Sequence, residues 1–135
     1  MIKQVLSGGQ LCDILMYNPG NALKDGRTDL TSPDCILQVA LFNQKETKTV
    51  KPHRHLPVQR NTMGTQEALF VVRGKISVRL FGLTNEEIGD YELWEGDAVV
   101  FLQGGHEVTL EAGALVYEVK NGPYESVEKD KVYLP

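Results

Sequence analysis

The chain has 135 residues, 41% of them hydrophobic and 24% charged, with a formal net charge of −4. That length is enough for one domain with its own core, and the composition argues against disorder. The acidic balance lacks the positive field that nucleic-acid binding requires, and no apolar run has the length of a membrane span.

Met1–Gln10 holds Lys3 but no uninterrupted apolar block and no small-residue cleavage site, so a cytoplasmic rather than a secreted protein is expected. Cys12 and Cys35 lack a CxxC spacing and are too few for a disulfide framework; reduced, partly buried thiols are expected. Leu11–Tyr17 reads as an N-terminal strand. Asn18–Asp34, with Pro19, Gly20, Gly26 and Pro33 among polar residues, reads as a connection to the main body.

From Cys35 the pattern is of strands. Cys35–Phe42 is a mostly apolar run, as for a strand buried on both faces. Glu67–Arg73 and Lys75–Phe81 flank Gly74, which predicts a tight hairpin. In the second of these, Ile76, Val78 and Leu80 alternate with Lys75, Ser77 and Arg79, giving one buried and one wet face. Tyr91–Leu93, Asp97–Leu102, His106–Glu111 and Ala114–Lys120 follow, separated by Gly96, Gly104–Gly105 and Gly113. Many short strands with regular turn signals predict a sandwich or a closed barrel. A single domain is expected: an N-terminal strand and loop over residues 1–34, a core over about 35–120 and a tail over 121–135.

Three histidines are present. His53 and His55 stand two apart; on an extended segment they would share one face, about 6–7 Å apart at Cα, and both could reach one ion. His106 shares a strand face with Val108 and Leu110, which predicts that it points inward. Glu67 shares a face with Leu69 and Val71. An inward carboxylate there needs a cation or strong donors, whereas a surface one would pair with Arg73 or Arg79.

The arrangement resembles the cupin superfamily, whose motifs read G-x5-H-x-H-x3,4-E-x6-G and G-x5-P-x-G-x2-H-x3-N. His53-x-His55 matches the histidine pair, Glu67-x6-Gly74 the second half of the first motif, and Gly96 to His106 the second motif. The match spans roughly Cys35 to Lys120. It departs at Thr47 and Leu102, which replace a glycine and the proline, and at Leu110, which replaces the asparagine. Eleven residues separate His55 from Glu67, and one residue is missing between Gly104 and His106. The resemblance implies an all-β double-stranded β-helix, a jelly-roll barrel, with His53, His55, Glu67 and His106 as ligands of one divalent metal.

Three imidazoles and a carboxylate suit Fe, Mn, Ni or Zn and leave positions open for a substrate. Arg54 and Arg60, near the histidine pair, and Lys120 and Tyr124, at the exit of the last strand, are candidate substrate contacts. The expected function is a metal-dependent enzyme acting on a small polar, sugar-like or keto-acid metabolite. The alternatives are a non-catalytic cupin that binds or senses a small ligand, and a metal-free sugar epimerase or isomerase with histidine as base. A homodimer is expected, in which Leu11–Tyr17, or the face carrying it, covers a sheet edge.

Overall fold

In the computed structural model, which describes residues 1–18 and 24–135, the regular secondary structure is almost entirely antiparallel strand. In chain order these are β1 (Ile2–Ser7), β2 (Gln10–Met16), β3 (Gly26–Asp29), β4 (Ala40–Asn43), β5 (Glu67–Arg73) and β6 (Lys75–Phe81). They continue as β7 (Glu87–Trp94), β8 (Ala98–Phe101), β9 (Gly105–Leu110) and β10 (Leu115–Lys120), and a single helical turn, α1 (Val127–Asp130), follows. The all-β expectation holds, whereas a closed barrel is not formed among the described residues. Part of the expected connection Asn18–Asp34 lies outside the described residues; its end contains β3, which pairs with β4.

One sheet has the order β1-β2-β8-β5-β10 and a second the order β7-β6-β9. Their facing sides make the main core, in which Leu15, Leu69, Val71, Val99 and Phe101 of the first sheet pack with Ile76, Val78, Leu80 and Leu93 of the second. Burying such branched and aromatic side chains contributes roughly 1.5–3 kcal/mol each. The outward side of the first sheet carries a smaller cluster of Ile14, Ala68, Val100 and Leu102.

β1 and β2 form a hairpin across Gly8 and Gly9, both at positive φ, as a two-residue turn that matches strand twist demands. The strand expected over Leu11–Tyr17 is therefore an inner strand of the main sheet, paired on its other side with β8. Both of its edges are paired within the chain, by β1 and by β8.

Two further expectations are corrected. β5 and β6 do not pair with each other; Gly74, at φ 80°, turns the chain from the first sheet into the second. One residue is too short a loop for a hairpin ladder, and a Cβ at Gly74 would sit 3.1 Å from the Ala114 Cα. Of Cys35–Phe42, only the end is strand. Cys35, Leu37 and Val39 lie as an irregular cover on the outward cluster. There Val39 N–H donates to Thr31 Oγ1 and Val39 C=O accepts from Leu30 N–H, so loop bonds replace a ladder. Cys12 and Cys35 are both free thiols.

Asp13 is a carboxylate inside the core, 1% exposed, with its Oδ2 lacking any hydrogen-bond partner. Burial pushes its pKa up to about 7, against an ordinary value near 4. Between those values the folded chain keeps a proton that the unfolded chain has lost. Stability should therefore fall as pH rises from about 4 to about 7 and level off above. Asp13→Asn is expected to remove this slope and to raise stability at pH 8 by about 1–3 kcal/mol, read from urea midpoints at pH 5 and pH 8. An equal slope in the variant would assign the pH dependence to other groups.

Candidate functional site

The register of the first sheet sets four residues in a row on its inward face. Asp13 of β2 lies opposite Phe101 of β8, Phe101 opposite Glu67 of β5, and Glu67 opposite Lys120 of β10. Directly opposed residues in adjacent strands share a face. Phe101 is buried, so the row runs from the core at Asp13 to the sheet edge at Lys120.

The second sheet delivers His106 to the same place. It is paired with Leu80, a fully buried inward residue of β6, and so points inward with Val108 and Leu110 as its strand parity predicts. Its imidazole stacks on Phe101 with ring centroids 3.8 Å apart and an interplanar angle of 10°. This contact joins the two sheets at one end of the sandwich. His106 keeps an accessible side, yet protein crowds the stacked side. That desolvation, together with the nearby charge of Lys131, pushes its pKa down to about 4, so the ring is neutral at physiological pH.

Glu67 is half-buried beside Phe101. Burial raises its pKa, the neighbouring Glu118 raises it further, and Lys131 and Lys120 act in the opposite direction. Neither surface arginine pairs with it: Arg79 Nε donates to Asp90 Oδ1 at 2.9 Å and Arg73 Nε to the Gly113 carbonyl at 3.3 Å. Glu67, by strand register, and His106, by its stack, thus both neighbour Phe101, and the charge of Lys131 acts on both.

The other candidates fall in two places. His53 and His55 lie on residues 44–66, which carry no strand or helix and are exposed up to Thr65. Their rings are 5.5 Å apart, edge to face, and His53 Nδ1 is 2.8 Å from the Lys51 carbonyl oxygen. Arg54 and Arg60 are exposed on the same segment. Among the described residues, no three His, Cys, Asp or Glu side chains gather at a point fit for a metal ion. Lys120 and Tyr124 do meet at the end of β10: the Lys120 ammonium is 5.0 Å from the Tyr124 ring centre and 3.7 Å from Asp130.

Two contributors were not singled out from sequence. Phe101 was legible, since alternation along β8 puts it on the side of Val99. Lys131 was not, because the tail after β10 has no period that would aim it.

No family model, curated protein or solved structure matches the chain. No helix among the described residues is long and apolar enough to cross a membrane.

The stacked environment predicts a low titration for one imidazole of the three. The His106 ring proton resonances should shift with a midpoint near pH 4 in magnetic-resonance spectra. Phe101→Ala should move that midpoint upward by exposing the stacked face. A wild-type midpoint near the ordinary 6.5 would contradict the desolvated stack.

Proposed function

We propose that the chain is a cupin-type jelly roll that holds one divalent ion with His53, His55, Glu67 and His106 and uses it on a small polar metabolite. The observation that carries this reading is the convergence of Glu67 and His106, from different sheets, on the two faces of the gap beside Phe101.

In this reading the strands β2-β8-β5-β10 and β9-β6-β7 would be the two facing sheets of the jelly roll, with a further strand to be added beyond β9. Beyond β9 the inward residue Leu110 is 62% exposed, as it would be where a further strand belongs. Residues 44–66 are longer than an ordinary connection and contain exposed Val50, Leu56, Val58 and Met63. Adding this segment to the edge of β9 would bury those side chains and bring the histidine pair toward His106.

The donor types suit a metal, with the histidine pair still to be brought to Glu67 and His106. Ligating imidazoles must be neutral, which His106 is at physiological pH, and an ion beside Glu67 would offset the cost of burying its charge. Fe, Mn, Ni and Zn all accept three imidazoles and a carboxylate. Bound there, the ion would supply a Lewis acid with open positions for a sugar-like or keto-acid substrate. Arg54 and Arg60 would travel with the histidine segment, and Lys120 and Tyr124 would border the opening. A homodimer in the cytoplasm belongs to the same proposal.

Metal content by plasma mass spectrometry tests the ligand set. His53→Ala, His55→Ala and His106→Ala are each expected to lose most bound metal while circular dichroism stays β-dominated. Glu67→Gln should lose less, because an amide oxygen still coordinates. Wild-type metal content in His106→Ala would reduce the histidine pair to a surface chelate and remove the proposed centre. Turnover of a metabolite panel, abolished by a chelator and restored by one metal, separates the enzyme from a sensing module. Turnover by metal-free protein would instead indicate an epimerase or isomerase.

A further inference from the structure

The two main sheets leave four strands with an open edge: β1, β7, β9 and β10. Exposed polar side chains stand along three of them: Lys3 and Gln4 on β1, Asp90 and Glu92 on β7, Glu107 and Thr109 on β9. Groups of this kind discourage pairing with another chain. β10 differs. By alternation with the inward Val116, its outward side chains are Leu115, Tyr117 and Val119, and they are 43%, 64% and 48% exposed. Its two charges, Glu118 and Lys120, lie on the inward face and pair with each other at 3.6 Å. Tyr117 also ends an apolar row that crosses the outward face of the whole sheet, through Ile2, Met16, Ala98 and Phe70 on successive strands. The pairing with β5 fixes which backbone groups of β10 are free. Asn121 N–H donates to the Gln66 carbonyl, so Val119 and Tyr117, in step with it, turn their N–H and C=O toward β5. Val116, Glu118 and Lys120 turn theirs to the open edge, where no backbone partner stands among the described residues.

We propose that β10 is the contact surface of a homodimer, in which two copies of the strand pair antiparallel about a twofold axis at Tyr117. The inference gives a surface to the homodimer of the reading above and does not draw on the metal. Opposed residues of a symmetric pair that continues one sheet, with both cores on the same side, must share a face. The axis therefore passes through a residue and not between two. Axes at Val116 or Val119 overlap only three residues of each strand, whereas axes at Tyr117 or Glu118 overlap five. An axis at Glu118 opposes two carboxylates directly, which is unfavourable. With the axis at Tyr117, Leu115 faces the partner's Val119 and Tyr117 faces the partner's Tyr117. Val116 and the partner's Glu118 then exchange hydrogen bonds through the free groups of the two edges. The apolar row of the outward face continues across the axis, from Ile2 of one copy to the partner's Ile2.

Sedimentation equilibrium of the whole chain should give a dimer with a Kd of about 10 µM, weak because five residues a side make less than a standard interface. Tyr117→Lys, at an exposed position, opposes two ammonium groups at the axis and should raise Kd at least about tenfold. Cysteine variants read the register in a Cys35→Ser background, which leaves only the buried Cys12. Tyr117 and its copy form a non-hydrogen-bonded pair with Cα atoms about 4.5 Å apart, so Tyr117→Cys should cross-link on mild oxidation. Glu118→Cys should not, because its two copies stand about 8 Å apart, too far for a disulfide. A wild-type chain that stays monomeric well above that Kd would overturn the interface and the homodimer together. A dimer unaffected by Tyr117→Lys would overturn this interface while leaving a homodimer standing. Cross-linking of Glu118→Cys in place of Tyr117→Cys would overturn the pairing about Tyr117.

Discussion

Strand β8 has no solvent face, and that constraint organises the molecule. All four of its residues are buried, with Val99 and Phe101 turned to the gap between the sheets and Ala98 and Val100 turned outward. A strand buried on both faces must be flanked on both edges and covered on both sides. β2 and β5 take its edges, the second sheet covers one side, and Cys35, Leu37 and Val39 cover much of the other. One of its ends is secured by a side chain and the other by a backbone bond beyond the ladder. Asp97 accepts the Trp94 N–H at 2.9 Å before the strand, and Leu102 N–H donates to the Cys12 carbonyl after it.

The candidate site follows from where that buried strand stops. Phe101 is its last residue and lies between Asp13 and Glu67 on the neighbouring strands, so apolar core gives way to ionisable groups at that row. His106, the second residue of β9, covers the Phe101 ring from the opposite sheet. The same lack of water acts on all three groups in one direction, toward the neutral form. Their consequences differ. Asp13 is enclosed and can only affect stability, whereas Glu67 and His106 have accessible sides and can meet a ligand.

Charge at the opening comes from elements far apart in the chain. Glu118 and Lys120 stand on β10, and Asp130 and Lys131 on the tail, which Thr65 and Gly105 hold from two other segments. Surface ion pairs such as Lys75–Glu92 and Arg79–Asp90, on the wet side of the second sheet, contribute little by comparison. At the opening the same kinds of charges are crowded beside a partly desolvated carboxylate, and there they shift its pKa.

The sequence by itself determined what covalent geometry dictates locally. A period of two gave the inward set Ile76, Val78 and Leu80 and the inward turn of His106, because successive side chains on a strand must alternate. It also placed strands near their observed positions from Glu67 onward. Tertiary structure alone decided which strand meets which. Gly74 marked a turn, but one-residue spacing does not say whether the chain folds back or crosses to another sheet, and it crosses. The apolar run at Cys35 suited a strand equally well, yet Thr31 and the outward cluster claimed its backbone and side chains. The stack of His106 on Phe101 and the reach of Lys131 depend on the spacing of two packed sheets and on where a tail without periodicity comes to rest. Those are sums over contacts distant in sequence, and no local pattern encodes them.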